Sequence, residues 1–270
     1  MDYRECLDNS AYILSSLELL RKFLNIQNVI IGIEDNKPNA VELLSRLCAQ
    51  GNSGIKVMAL KSRYPQGAEK MLVDSATGRK IPMGKLPADA GCIVMNVAST
   101  AFIGRYLETG KPLVSRSMTV DGSAVAEPKN VRVPIGIDIG EVIRFCGGFK
   151  SAPYKIIAGG PMMGSALVST DAPVIKSYNA ILAFSEGTFK VKPERDCIRC
   201  GRCAAACPMG LLPTDVMRYT KAHDAQKLRD CHVDACMQCG SCAYACPAGK
   251  PLVQYMVLSK EMVREAGAVK

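Results

Sequence analysis

The sequence predicts an α/β protein in three parts: an N-terminal α/β domain, a small β-rich domain and a C-terminal helical domain rich in cysteine. Helical and strand-like patterns alternate through residues 1–110, and short alternating strands follow from Pro112. Nine of the 13 cysteines then fall between Cys197 and Cys246. The predicted α/β domain, β-rich domain, connector and cysteine-rich domain occupy 1–111, 112–167, 168–192 and 193–270.

The N-terminal domain is predicted to alternate helices with the strands of a mainly parallel sheet. Its first helix has Asn9 or Ser10 as the N-cap and carries apolar residues on one face from Ile13 to Leu24. Pro38 suits the first turn of the next helix. The predicted strands are 28–34, 55–60 and 91–97, and the later helices are 38–50, 68–77 and 99–108.

The middle region changes to short strands with a period of two residues. A strand from Val114 to Val120 runs into Asp121-Gly122, a strong hairpin signal, and a second strand follows from Val131 to Ile135. A short helix at 139–145 and a strand at 154–158 complete the order β-β-α-β. This order predicts a small β-grasp domain.

Composition and charge exclude some classes of function and favour others. The chain has 34 Lys and Arg against 25 Asp and Glu, a net charge of +9, but no Trp and few aromatic residues, so we expect no nucleic-acid binding. A basic surface could instead steer an acidic redox partner. No apolar run approaches the ~18 residues of a membrane span, and the first residues lack a secretory signal, so we expect a cytoplasmic protein. In that compartment, 13 cysteines indicate metal or redox chemistry rather than disulfides.

Two cysteine runs with the same spacing are the strongest functional signal. Each reads C-x2-C-x2-C-x3-C-P, the run of bacterial two-cluster ferredoxins, in which the fourth cysteine binds the other 4Fe-4S cluster. Tetrahedral zinc would leave half of the eight thiolates unused. The predicted ligands of one cluster are Cys197, Cys200, Cys203 and Cys246, and those of the other are Cys236, Cys239, Cys242 and Cys207.

The residues around these runs predict how the chain surrounds two clusters. Gly201 and Gly240 stand where the backbone must pass close to an inorganic core. A helix over 211–230, opened by Pro213, is predicted between the runs, and Pro251 is predicted to open a C-terminal helix. We therefore expect helices to bracket both clusters.

Several local sequences place the chain close to a known family. In chain order they are Gly32-Ile-Glu-Asp-Asn-Lys-Pro38, Tyr64-Pro-Gln-Gly67, Gly159-Gly-Pro-Met-Met-Gly164, Cys197-Ile-Arg-Cys200 and Pro251-Leu-Val-Gln-Tyr255. With these the whole sequence resembles the RnfC family, the C subunits of the Rnf ion-translocating ferredoxin:NAD+ oxidoreductases. The resemblance implies part of a flavin- and NADH-binding α/β domain like that of respiratory complex I, then an SLBB-like β-grasp domain and a two-cluster ferredoxin-like domain.

The resemblance also implies FMN and NAD(H) as cofactors beside the two clusters. Family members carry a glycine-rich loop upstream of what is here Met1, so we expect this chain to supply only part of the flavin site and to be incomplete for NADH chemistry. The implied cofactor-binding residues lie after a predicted strand, in a later loop and near a helix start: Glu34, Asp35, Asn36, Lys37, Tyr64, Gly67, Glu69, Asn96 and Thr100.

The resemblance finally implies a role in a membrane-associated complex. We expect a peripheral subunit on the cytoplasmic face of the membrane that exchanges electrons with membrane-embedded and flavin-bearing Rnf subunits, with ferredoxin and NAD(H) as source and sink. Such a complex couples electron flow to ion translocation. Two alternatives stay open: a flavin-free ferredoxin-like relay module, and the related cobalamin reductase of microcompartments.

Overall fold

A computed structural model describes residues 1–51, 53–189 and 192–268, which divide into two compact units. The first unit comprises Met1–Gly160 and Ser165–Ser185. The second comprises Pro161–Gly164 and the described residues from Glu186 onward. The predicted mixed α/β architecture is confirmed.

The N-terminal part of the first unit packs helices against two parallel strands. Its elements are α1 (Asp2–Asp8), α2 (Ser10–Phe23), β1 (Val29–Glu34), α3 (Pro38–Gln50), β2 (Ile55–Leu60), α4 (Glu69–Thr77), a 3-10 helix (Pro87–Ala90) and α5 (Val97–Thr109). Strands β1 and β2 pair from Val29 with Ile55 to Glu34 with Leu60. Pro38 occupies the first turn of α3, as predicted, and Ala40 and Leu44 of that helix are fully buried.

The structure differs from the sequence prediction at two places in this region. Residues 2–8 form α1, for which the sequence analysis predicted no element and which has no side-chain N-cap. The predicted strand at 91–97 does not form: Gly91 has a left-handed φ of 67°, and the Asn96 side chain accepts a hydrogen bond from the Ala98 amide and begins α5. Because Asn96 acts as an N-cap, the chain turns into the helix before it can extend a sheet.

A five-stranded sheet follows in the same unit. Its elements are β3 (Ser115–Asp121), β4 (Lys129–Pro134), α6 (Ile139–Phe145), β5 (Pro153–Ala158), β6 (Ser165–Leu167) and β7 (Ala180–Ser185), with strand order β4-β3-β7-β5-β6. The predicted β-β-α-β order is present. Ile139, Val142 and Ile143 of α6 are buried in one core with Met118 and Val120 of β3.

The predicted connector 168–192 contains the central strand of this sheet. β7 pairs with β3 in parallel and with β5 in the antiparallel direction. Ala180-Ile-Leu-Ala-Phe-Ser is a short continuous apolar run, and its middle three residues are buried. The alternation that revealed the other strands is absent because a central strand is covered on both faces.

The predicted tight hairpin at Asp121-Gly122 is also different in the structure. Strand β3 ends at Asp121 and β4 begins at Lys129, so seven residues, 122–128, connect them. The Ala124 amide donates to the Ala183 carbonyl at 3.0 Å. The loop therefore contacts β7 instead of folding straight back along β3.

The second unit is helical. Its elements are α7 (Arg202–Ala205), α8 (Pro213–Lys221), α9 (Ala225–Asp230), a 3-10 helix (Val233–Ala235), α10 (Ser241–Ala245) and α11 (Leu252–Ala268). The single helix predicted over 211–230 is two helices, because His223 is left-handed at φ 52° and Asp224 caps α9 by accepting from the Lys227 amide. Met256 of α11 packs in one core with Val216 of α8 and Leu228 of α9. Within the described ranges, no helix is both long and apolar enough to cross a membrane.

Candidate metal centre and cofactor site

The eight cysteines of the two runs all lie in the second unit. In each run the chain turns at a left-handed glycine, Gly201 with φ 73° and Gly240 with φ 84°, and then enters a short helix, α7 or α10. The third cysteine of each run, Cys203 or Cys242, lies in that helix. The repeated spacing therefore becomes a repeated local fold.

One set of thiols combines the first three cysteines of the first run with the last cysteine of the second. Burial raises the pKa of the Cys203 thiol, and the negative charges of Cys246 and Cys197 raise it further. These three side chains therefore lie within each other's electric fields. Cys200 is exposed in the same loop as Cys197. We call Cys197, Cys200, Cys203 and Cys246 the first set.

The second set, Cys207, Cys236, Cys239 and Cys242, lines one small cavity of about 20 Å³. Burial raises the pKa of the Cys242 thiol to about 11, and the other three thiols of the set contribute to the shift. Apolar side chains complete the wall, among them Val253 and Met256 of α11. Sulfur donors in an apolar shell are the environment that an iron–sulfur cluster needs.

Backbone amides donate hydrogen bonds to two thiols of the second set, and one lysine lies beside each set. The Gln238 amide donates to Cys236 Sγ at 3.3 Å, and the Leu211 amide donates to Cys207 Sγ at 3.4 Å. Lys260 Nζ donates to the Cys236 carbonyl oxygen at 2.6 Å, and Lys192 Nζ donates to the Cys246 carbonyl oxygen at 3.5 Å. Hydrogen bonds to sulfur and nearby charge are the means by which proteins tune cluster potentials.

The donor arrangement fits clusters better than single ions. Across residues 1–51, 53–189 and 192–268, no three Cys, His, Asp or Glu side chains converge on one metal ion. In a cubane each thiolate binds a different iron, so its four ligands are more widely spaced than those of one ion. A cluster bound to either set would supply one-electron redox chemistry.

The implied flavin residues after β1 lie beside Ser62, which follows β2, because parallel strands end at the same edge of a sheet. Asp35 Oδ1 accepts hydrogen bonds from the Ser62 hydroxyl at 2.7 Å and from its amide at 3.0 Å. Both bonds hold the pKa of Asp35 below its usual value, and the bond from the hydroxyl has the larger effect. Lys37 Nζ lies 2.8 Å from Glu34 and 2.7 Å from the Asn36 side-chain oxygen.

The remaining implied flavin residues differ in accessibility. Tyr64 is 56% exposed, and open space surrounds Gly67. Asn96 is exposed, whereas Thr100 is buried and its hydroxyl donates to the Asn96 carbonyl at 3.2 Å. Glu69, also exposed, is the first residue of α4.

Helix α1, absent from the sequence prediction, brings these regions together. Asp2 accepts a hydrogen bond from the Asn96 side chain at 3.0 Å, and the Tyr3 hydroxyl accepts one from the Asn39 side chain at 3.4 Å. The starts of α5 and α3 are thereby linked through α1. The acidic residues at the start of α1 were the available signal, since carboxylates favour a helix N-terminus. No sequence signal pointed to Lys260 or Lys192.

Family models match all three parts of the chain. The Nuo51 FMN-binding domain matches residues 1–105, the SLBB domain matches residues 118–166 and the 4Fe-4S dicluster domain matches residues 196–250. Fold and site together define an iron–sulfur redox protein with a dicluster domain behind an FMN-binding type of domain and an SLBB domain.

Curated relatives make the assignment more specific. The C subunit of the proton-translocating ferredoxin:NAD(+) oxidoreductase complex of Clostridium ljungdahlii is 45% identical over 213 residues, 79% of this chain and 46% of the relative. The Na(+)-translocating counterpart from Acetobacterium woodii is 40% identical over 221 residues, 82% of this chain and 49% of the relative. This chain belongs to the RnfC family, the C subunits of ion-translocating ferredoxin:NAD+ oxidoreductase complexes.

A third relative and a solved structure complete the comparison. The C subunit of the ion-translocating oxidoreductase complex of Yersinia pseudotuberculosis is 38% identical over 264 residues, 97% of this chain and 38% of the relative. The chain spans about half the length, or less, of the curated relatives it matches. A structure of an NAD+-reducing NiFe-hydrogenase in the H2-reduced state shares the fold, with a TM-score of 0.58 at 15% identity over 94% of this chain and 52% of that chain.

Proposed function

We propose that this chain transfers electrons one at a time through two 4Fe-4S clusters, as part of the C subunit of an Rnf-type complex. The observation that carries the proposal is that thiols of both cysteine runs lie together in two places: Cys203 with Cys197 and Cys246, and Cys207 with Cys236, Cys239 and Cys242. The first set would bind one cluster through Cys197, Cys200, Cys203 and Cys246, and the second set would bind the other. Crossed ligation ties the two runs together, so the two clusters would be neighbours.

The partners in this proposal are the other subunits of the complex. Membrane-embedded and flavin-bearing subunits would exchange electrons with the chain, with ferredoxin and NAD(H) at the ends of the path. The whole complex would couple this flow to ion translocation, as the names of the relatives describe for those proteins. The chain would lie peripherally, on the cytoplasmic face of the membrane.

The N-terminal domain would contribute to an FMN and NAD(H) site. The Lys37 ammonium and the Asn36 side-chain amide would bind an anionic group of the cofactor. The exposed Asn96 side chain at the start of α5 offers a further hydrogen-bonding group. Tyr64 and Gly67 would leave room for a planar ring, since both lie at an open surface. Glu34, Asp35, Glu69 and Thr100 would shape the remainder of the site.

A second candidate is an electron relay without flavin. Its support is the internal pairing of the implied flavin residues: Lys37 with Glu34, Asp35 with Ser62 and Asn96 with Asp2. A cofactor would have to compete with these contacts. In this case the two clusters would be the chain's only redox centres.

Anaerobic reconstitution with iron, sulfide and FMN tests both candidates. We expect about eight irons per chain and the EPR signals of two interacting reduced 4Fe-4S clusters. Flavin that stays bound and is bleached by NADH would contradict the pure relay. Four or fewer irons, or stoichiometric zinc, would contradict the two-cluster proposal.

A further inference from the structure

The two cysteine runs share their spacing but differ in the residues between the ligands. Four positions differ in size or charge. The first run has Ile198, Arg199, Arg202 and Ala205 there, and the second run has Met237, Gln238, Ser241 and Tyr244. Because the runs are a repeat of one local fold, these differences isolate what is particular to the first.

The first run is open to solvent where the second is covered. Cys197 and Cys200 are exposed, and Ile198 between them is 68% exposed. In the second run Cys236 is only partly exposed and Cys239 is 8% exposed. A cluster on the first set would therefore lie nearer the surface than one on the second.

The turn glycines show what covers the second run. A Cβ at Gly240 would overlap the methyl group of Met162, which belongs to the Pro161–Gly164 segment of the same unit. Among the residues that the structure describes, no atom beyond its two chain neighbours lies within 4 Å of a Cβ at Gly201. The 161–164 segment thus closes one of two equivalent faces and leaves the other free.

The free face is positively charged. Arg195, Arg199 and Arg202 are exposed, and none forms a side-chain hydrogen bond or ion pair within the part of the chain that the structure describes. Asp196 is the only acidic residue in 195–202. The charge of the neighbouring Glu194 is paired with Lys250 at 2.9 Å. Three exposed guanidinium groups and one exposed apolar side chain therefore lie within eight residues of sequence, next to the cysteines of the first set.

We propose that the surface formed by Arg195, Ile198, Arg199 and Arg202, the arginine face, docks a small electron-carrier protein whose own redox centre is ringed by carboxylates. The inference rests on the proposed function, because it assumes a cluster on the first set. On docking, the carrier is oxidised by one electron and this chain is reduced by one, or the reverse, with no bond made or broken. Opposite charges steer the encounter, and Ile198 supplies the apolar contact at its centre.

The repeat itself supplies the test variant. Arg199→Gln together with Arg202→Ser installs the residues of the second run, and Gln238 has φ 57° where Arg199 has φ 55°, so the backbone accepts the change. Lys221→Gln together with Arg264→Ser is the matched control. It removes the same charge from the end of α8 and from α11, outside both cysteine runs.

The probe is a purified two-cluster ferredoxin of net negative charge, used with the reconstituted chain. Calorimetry gives the Kd for the oxidised carrier, and stopped-flow mixing gives the rate of electron transfer from the reduced one. At low ionic strength we expect the arginine variant to raise Kd and lower the second-order rate about tenfold, with a weaker salt dependence, while the control stays within about twofold.

Several results would overturn the inference. An arginine variant with both clusters intact and an unchanged Kd would overturn the docking inference and leave the proposed function standing. An equal loss of carrier affinity in the control variant would do the same. Loss of binding to vesicles of anionic lipid, with carrier binding unchanged, would assign the face to a membrane surface instead. A parent chain that assembles no clusters would overturn the proposed function itself, which the iron count distinguishes.

Discussion

Lys260 donates a hydrogen bond from its side-chain ammonium to the backbone carbonyl oxygen of Cys236, at 2.6 Å. The lysine lies on α11, which carries none of the eight cysteines of the runs. Burial is the main influence on the Cys236 thiol and raises its pKa, while the charge of Lys260 acts to lower it. A helix outside the cysteine runs therefore places a cation against the second set.

Replacing Lys260 by methionine should lower the midpoint potential of one cluster. Reduction adds negative charge, which the ammonium stabilises, so its loss disfavours the reduced state. A charge about 10 Å away at an effective dielectric constant of about 20 contributes about 1.7 kcal/mol, or roughly 70 mV for one electron. An EPR-monitored redox titration measures the shift. Lys192→Met, which removes the lysine at Cys246, should instead shift the midpoint potential of the other cluster. A shift of the same cluster in both variants would contradict the assignment.

Crossed ligation can be tested by replacing the first three cysteines of the first run. Serine at Cys197, Cys200 and Cys203 should leave one cluster, of about four irons, on the second set. Adding Cys207→Ser should abolish that cluster, because Cys207 belongs to the second set. Adding Cys246→Ser instead should leave the iron count unchanged. The opposite pattern would mean that each run binds its own cluster.

Cluster assembly should accelerate as pH rises. Burial raises the pKa of Cys242 from 9.0 to about 11, and it also raises the pKa of Cys203 and of Cys236. The neutral thiols stabilise the metal-free fold below pH 9.0, and this contribution is lost as pH passes through about 11. Iron must displace these protons, so growth of the cluster absorbance from chelated iron should be faster at about pH 9 than at about pH 7. A rate that does not change over this range would contradict the prediction.

Gly122→Ala should destabilise the five-stranded sheet strongly. Gly122 has φ 118°, and a Cβ there would overlap the backbone of Ala183 in β7. We expect a loss above about 3 kcal/mol in the free energy of unfolding, since conformational strain and overpacking add. Urea unfolding measures it. Gly136→Ala is the control, because Gly136 has φ 95° but open space around it, so only ~1–2 kcal/mol of strain is expected. Equal losses in the two variants would rule out the contact with β7 as the cause.

Local patterns in the sequence account for most of the elements. Pro38 at the start of α3, the alternation in β3 and β4, and the cysteine spacing each act within a few residues, so they can be recognised without a tertiary structure. The strand β7 depends on partners distant in sequence, because β3 and β5 lie on either side of it in the sheet. The strand predicted at 91–97 is wrong for a local reason, since Asn96 caps α5 through the Ala98 amide.

The sequence by itself determined the number, type and spacing of the proposed sulfur ligands, because C-x2-C-x2-C-x3-C-P is a local pattern that is recognised without a tertiary structure. Only the tertiary structure decided that the two runs surround their sets differently. Met162, 78 residues before Gly240, covers the second run, while Arg199 and Arg202 are left uncovered beside the first. Such differences arise from contacts between distant segments, which the spacing within a run does not encode.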